Sequence, residues 1–393
     1  MNKKFLVLGA KSKLLVTAFV VAAIILNAPA APWGSNKCNA AIAFQNSLEV
    51  TSRIALSNYS YCVALNDETN RVYVGVRGAL VVINGETNEI IKEIQLDQYK
   101  LGFVSAVAVN TQTNRIYVTA GFLGDRIAVI DGDTNLEVAA INETVTDQSE
   151  LAINSVTNRI YVSDNAWFLG DYDKIHVYDG ENFAQIATVN IPGSNSHLYL
   201  EKVGVAANPN TNKVYATWSG EDTVYLIDGN TNSISRTTKA TLAEDEARIM
   251  VNPYTNYVYV AHSTPLEGET LERVANTSTL GVPRAIDPVR NCLYIIDSNT
   301  LYRLNGTTHG VIDSLYLPWD ASSGDSFAVN PTTSKIYAAA SDQLYVISVQ
   351  TPSLSPQSTL TPSPSVPEFP TCTILPFVLI AVLVMLIIAK LKK

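Results

Sequence analysis

The chain has 393 residues, a formal charge of −9 and four cysteines. With no clustered lysine or arginine between its two ends, that acidic balance argues against a nucleic-acid partner. Cys38, Cys62, Cys292 and Cys372 are too few to build a disulfide scaffold of this length, so the fold must rest on a hydrophobic core.

In chain order, the first element is a secretory signal over residues 1–30. Lys3, Lys4, Lys11 and Lys13 precede an uncharged apolar run at 14–26, and Ala28-Pro29-Ala30 supplies the small-residue exit. The run is shorter than the roughly 20 residues that a bilayer span needs, which favours removal over retention as an anchor. A lead at 31–47 follows, and then a strand-like segment at 48–56.

From there the chain repeats itself. Asn66-x-x-x-Asn70-Arg71-Val72-Tyr73-Val74 returns at 110–118, 154–162, 208–216 and 252–260, with weaker copies at 287–295 and 330–338. The marker tyrosines Tyr73, Tyr117, Tyr161, Tyr215, Tyr259, Tyr294 and Tyr337 stand 44, 44, 54, 44, 35 and 43 residues apart. A period in the low forties made only of short β-branched and aromatic runs is that of a propeller blade.

The second copy shows the plan. Runs at 104–109 and 115–119 flank an Asn/Thr turn, a third run at 127–130 ends in Asp131-Gly132, and a fourth lies at 136–141. The Asx-Gly step recurs at Asn84-Gly85, Asp179-Gly180, Asp228-Gly229 and Asn305-Gly306, and its residue types, tolerant of positive φ, predict a tight hairpin between strands C and D. Each copy is thus a four-stranded antiparallel meander, and residues 48–349 form an all-β, seven-bladed propeller. The last copy lacks a fourth strand, so the segment at 48–56 is expected to supply it and close the ring. The fifth copy is short and has no Asx-Gly step, which predicts a three-stranded or irregular blade.

Residues 350–371 are rich in Pro, Ser and Thr and read as an extended stalk. Residues 372–389 carry no charge and precede Lys390, Lys392 and Lys393, which predicts a transmembrane helix at 372–393 with its basic tail in the cytoplasm and the propeller outside.

The Thr-Asn-Arg-Ile-Tyr-Val run at 113–118, with near copies at 69–74 and 157–162, resembles the YVTN family of β-propeller repeats of archaeal and bacterial surface proteins. The likeness covers roughly residues 48–349; it implies fold and says little of activity. Pro367-Glu368-Phe369, ahead of the apolar span and basic tail, resembles the Pro-Glu-Phe carboxy-terminal sorting signal of archaeal exported proteins. That resemblance implies cleavage and transfer to a lipid anchor by an archaeosortase; a plain membrane helix with a proline-rich approach is the other reading.

In a blade of this kind the A–B and C–D turns share one face of the disc, and the B–C and D–A loops share the other. Here the first face is built of near-identical Asn/Thr turns, while the insertions fall on the second, where binding usually resides. Trp167, Tyr172, Trp218 and Trp319 lie on or beside those loops, either as anchors for a protein or glycan partner or as caps on blade interfaces. The starts of the A strands at the tunnel mouth are Cys62, Ala106, Glu150, Gly204, Arg248, Pro283 and Ser326, so Glu150 and Arg248 supply its charge. No ring of carboxylates or histidines emerges, so neither metal nor cofactor is expected. Sequons stand at Asn58, Asn142, Asn276 and Asn305, and Cys38 with Cys62 is a candidate bridge. The sequence therefore points to a surface-anchored binding, adhesion or envelope-layer module without catalysis. The alternative is an extracytoplasmic lactonase- or hydrolase-like enzyme or small-ligand binder at the tunnel mouth.

Overall fold

Each copy of the repeat folds into its own antiparallel sheet. The structure is a computed structural model; it describes residues 48–96, 102–120, 126–142, 149–164, 173–192, 203–240, 247–274, 281–319 and 326–349. In blade 2 the strands Val107–Asn110, Arg115–Ala120, Arg126–Asp131 and Leu136–Ile141 pair in sequence order as A, B, C and D. Five of the other sheets repeat this pattern or complete it by closure.

The inner strands of blades 1 to 7 are Ser60–Asn66, Val107–Asn110, Leu151–Asn154, Val203–Asn208, Ile249–Val251, Val282–Asp287 and Ser326–Asn330. Neighbouring inner strands approach one another all the way round, and the last meets the first. The result is a seven-bladed propeller.

Burial explains the apolar runs of the B and C strands. Ile116, Tyr117, Val118, Ile127, Ala128, Val129 and Ile130 are all fully buried because a neighbouring blade covers each face of the sheet. The D strand has one outward face, and there Leu136 and Val138 are exposed. The core is accordingly divided into seven clusters, one at each junction between blades. The cluster between blades 5 and 6, formed by Tyr259, Leu293, Ile295 and Leu304, is the thinnest.

Ring closure follows the expected route. Leu48–Ala55 pairs antiparallel with Gln343–Val349, which is itself paired with Lys335–Ala340, so the outer strand of blade 7 comes from the start of the propeller. Blade 5 is three-stranded, with Ile249–Val251, Tyr257–Val260 and a two-residue third strand, Leu266–Glu267; its fourth strand is reduced to a bridge between Leu266 and Arg273.

The C–D turn differs from the tight hairpin that the Asx-Gly step predicts. Asp131 Oδ1 accepts from Thr134 N at 2.9 Å, Asn135 N donates to Asp131 O at 2.8 Å, and the left-handed residue is Asn135 (φ 54°) rather than Gly132. Gly132 is required by close approach: its N–H donates to Asn114 O at 2.8 Å, and a Cβ there would lie 2.7 Å from that same oxygen. Blade 5 keeps the arrangement with Glu267-Gly268 in place of an Asx-Gly step: Glu267 Oε2 accepts from Glu269 N and Thr270 N, and Gly268 N donates to Asn256 O.

Among the described residues no helix is long and apolar enough to cross a membrane. The expected signal at 1–30, lead at 31–47, stalk at 350–371 and membrane helix at 372–393 lie outside the described residues.

Candidate functional site

One face of the disc carries the asparagines that tie the blades together, beside the exposed turn residues Val156, Tyr254 and Val289. The asparagine that ends the inner strand in six of the seven blades is buried, and its Oδ1 caps the following A–B turn; Asn110 Oδ1 accepts from Gln112 N and Thr113 N. Its Nδ2 then reaches the left-handed asparagine of the next blade. Asn66 donates to Asn114 Oδ1 at 2.8 Å, Asn110 to Asn158 at 2.9 Å, Asn154 to Asn212 at 2.9 Å, Asn208 to Asn256 at 2.8 Å, Asn252 to Asn291 at 3.0 Å and Asn330 to Asn70 at 2.9 Å.

Six of the seven junctions are thereby stitched by the same side-chain bond. At the seventh, between blades 6 and 7, Asp287 and Ser334 replace the pair, and Arg290 bridges instead, holding Asp287 Oδ2 at 3.0 Å and donating to Pro331 O. Four marker tyrosines add a second bond across a junction: Tyr117, Tyr215, Tyr259 and Tyr337 donate to Gly180, Gly268, Gly306 and Gly85 carbonyls. Burial raises the pKa of these phenols, that of Tyr337 to about 12.

The opposite face carries the B–C and D–A loops, and two of the four sequence-predicted anchors, Trp218 and Trp319, lie within the described residues. Trp218 is 2% exposed and packs in the core between blades 3 and 4, so its ring is a cap on that interface. Trp319, partly buried, stacks on Tyr345 at 3.8 Å beside the core between blades 6 and 7, with the Arg53 guanidinium 5.4 Å from the Tyr345 ring. Trp167 and Tyr172 lie outside the described residues. Glu150 and Arg248 stand at the starts of the inner strands of blades 3 and 5; the backbone of each is tied to the second strand, through Ser163 and Ala261.

Cys62 is a free, buried thiol whose Sγ–H donates to Val104 O at 3.2 Å, and burial pushes its pKa up to about 12; Cys38 lies outside the described residues. Of the sequons, Asn142 is exposed, Asn58 partly so, and Asn305 uses Oδ1 to cap Thr307 N and Thr308 N; Asn276 lies outside the described residues, as do Pro367, Glu368 and Phe369.

What the loop face does hold is an aromatic shelf at the junction of blades 7, 1 and 2. The Tyr59 and Tyr61 ring centroids are 5.3 Å apart, Tyr61 meets Phe103 edge-on at 5.3 Å, and the Arg77 guanidinium lies 5.7 Å from the Phe103 ring. Tyr59 is 51% exposed. Arg77 is exposed too and has no ion-pair partner among the described residues. Partial burial raises the Tyr61 pKa while the positive charge of Arg77 pulls against it.

The shelf is fixed by its backbone: Arg77 N donates to Tyr59 O at 3.1 Å, Gly78 N to Gly102 O at 2.8 Å, and Ser60 N to Ser341 O at 2.6 Å. A sequence signal existed for it, because Tyr61 stands where the other copies have Ser105, Ser149, Val203, Ala247, Val282 and Asp325.

Between the inner strands of blades 3 to 6 lies a cavity of about 340 Å³, lined among others by Ala152, Val205, Ala207, Ile249, Val251 and Ile286. Among the described residues no group of three or more His, Cys, Asp or Glu is placed to hold a metal ion.

No protein-family model and no curated protein matches the chain. Solved structures do. A β-propeller domain of Cps50 (Swd1) from Myceliophteria thermophila aligns with a TM-score of 0.58 at 10% identity, covering 77% of this chain and 100% of that one. A chain in a crystal structure of the mitotic checkpoint complex aligns with a TM-score of 0.60 at 14% identity, covering 89% and 100%. At such identities the likeness is one of fold alone.

Proposed function

We propose that the chain is a cell-surface-anchored propeller that holds a protein or glycan partner on its B–C/D–A loop face, as an adhesion or envelope-layer module without catalytic chemistry. The observation that carries this reading is the division between the faces. The Asn-turn face commits its asparagines to stitching blades together, with Val156, Tyr254 and Val289 exposed in its turns, whereas the loop face presents the exposed Tyr59 ring beside the Arg77 charge on a backbone fixed by hydrogen bonds.

The direction in which the chain leaves supports the same reading. Val349, the last residue of its strand, lies at the Asn-turn end of blade 7, where its N–H donates to Ser334 O at 3.0 Å, and Leu48 pairs with it there. A stalk over 350–371 that leaves from that face and leads to a membrane anchor turns the loop face outward. Fully extended at about 3.1 Å per residue, such a stalk reaches roughly 70 Å. The YVTN-like repeat and the Pro367-Glu368-Phe369 approach belong to this proposal, with an archaeosortase as the processing partner in one version and a retained helix in the other. Mass spectrometry of the mature C-terminus separates the two versions, since a chain ending at Lys393 leaves only the retained helix.

The experiment for the binding face uses the full chain in detergent, with a bulky polyethylene glycol maleimide attached at Asp342→Cys on the loop face or at Glu68→Cys on the Asn-turn face. Capture on glycan and envelope-protein arrays should be blocked by the first adduct and unaffected by the second; the reverse pattern overturns the proposal. A small ligand in the tunnel is the second reading, favoured by the cavity of about 340 Å³. Titration with an apolar fluorophore that is quenched by Val205→Trp tests it.

A further inference from the structure

We infer that the Tyr59–Tyr61–Phe103 shelf with Arg77 is a subsite for an acidic saccharide, with the exposed Tyr59 ring under the CH face of a uronic-acid unit and the Arg77 guanidinium on its carboxylate. This rests on the proposed use of the loop face and narrows it to one ligand class.

Four observations point there. Tyr59 is half exposed although its ring neighbours another aromatic, so an apolar plate is kept open to water. Arg77 is exposed beside it in a chain of formal charge −9 and finds no ion-pair partner among the described residues, which leaves a cation free for an anionic ligand. The three aromatic rings meet at interplanar angles of 52° and 80°, which makes an open tray rather than a slot for a buried side chain. Finally, the backbone donors of the tray are already used: Ser60 N, Arg77 N and Gly78 N bond to Ser341, Tyr59 and Gly102 carbonyls. An extended acidic peptide would need such main-chain donors, whereas a sugar ring needs a plate and a charge. The same bonds hold the tray in its binding shape, so little ordering has to accompany capture.

The test is calorimetric titration of the full chain in detergent, produced without N-glycosylation so that Asn58 carries nothing beside the tray. The probes are oligogalacturonate, its methyl ester and a poly-glutamate peptide. Oligogalacturonate should bind, the methyl ester should bind at least about tenfold more weakly, and Tyr59→Ala or Arg77→Gln should each cost about tenfold or more for the acid. Arg77→Gln should leave whatever affinity the ester has unchanged, and Arg53→Gln, which alters another arginine–aromatic pair, should change nothing. Circular dichroism melts confirm that each variant is folded.

Absence of uronate binding, equal affinity for acid and ester, or preference for the peptide overturns the inference. If the face still captures a partner on the arrays while Tyr59→Ala has no effect, this inference fails and the binding-face proposal stands. If the Asp342 adduct blocks nothing, the proposal itself has failed.

Discussion

Asn110 shows how a single residue type can serve three purposes. It ends an inner strand, caps a turn through Oδ1 and bonds to the next blade through Nδ2, all while fully buried. Replacing it with Ala leaves the Asn158 Oδ1 and two turn N–H groups without partners. At about 1–3 kcal/mol for a buried unsatisfied group, thermal unfolding of Asn110→Ala should show a loss of about 2–3 kcal/mol. His309 offers a second residue-scale prediction, this one in pH. It sits in the C–D turn of blade 6 at φ 57°, with ring centroids of Tyr257 and Tyr259 at 6.0 and 5.8 Å, and both ring nitrogens lack partners among the described residues. Burial lowers its pKa below 6.5 in the folded state, so the unfolded chain takes up the proton first as pH falls. Stability is therefore complete above pH 6.5 and declines as pH drops from there toward the lower folded value. His309→Asn, the residue found at the same left-handed position as Asn88, Asn135 and Asn232, should flatten that slope in denaturant titrations between about pH 7 and 5.

At the scale of elements, the closing strand decides the integrity of the ring. Leu48–Ala55 covers one edge of Gln343–Val349, with Leu48 and Ile54 buried in the two clusters that flank blade 7. Deleting residues 31–56 should lower the melting temperature far more than deleting 350–371; equal melting temperatures would show that the closing strand contributes nothing. This strand was legible in the sequence because a copy with three strands at one end and a spare strand at the other leave only one pairing that hides both edges. The strand runs were legible too, since a sheet covered on both faces spells itself in unbroken β-branched and aromatic residues such as Ile116-Tyr117-Val118. The asparagine ring was not. Repetition displayed Asn110 and Asn114 as turn residues, but that one reaches Asn158 across a blade junction is a matter of tertiary placement. The glycine of the Asx-Gly step was likewise visible and misattributed, because close approach to a neighbouring carbonyl leaves no mark that distinguishes it from a need for positive φ. For the candidate site, aromatic type alone could not separate Trp218, sunk between blades, from Tyr59, which is exposed; the sequence mark of the shelf is Tyr61, aromatic where its counterparts are not.

For the whole molecule, the repeat makes a scaffold that is uniform on one side and free to vary on the other. The uniformity has a weak sector. Blade 5 has lost most of its outer strand, the core between blades 5 and 6 is the thinnest, and the junction after blade 6 replaces the asparagine pair by an Asp287–Arg290 bridge. Hydrogen exchange should therefore release Tyr257–Val260 before the B strands of blades 1 to 4, and simultaneous exchange of all blades would show one cooperative unit instead. The closing sheet also sets how the molecule would bear a load. Gln343–Val349 is flanked by hydrogen-bonded strands on both sides and ends at the face from which residue 350 departs. Tension applied through residue 350 against a partner gripped on the far face runs along that strand, so the rows of bonds to Leu48–Ala55 and Lys335–Ala340, which lie across the strand axis, are sheared together rather than unzipped one at a time. In a force spectrometer, pulling from residue 350 against the loop face should rupture at a higher force than pulling residue 350 sideways from residue 48, where the same two strands peel apart.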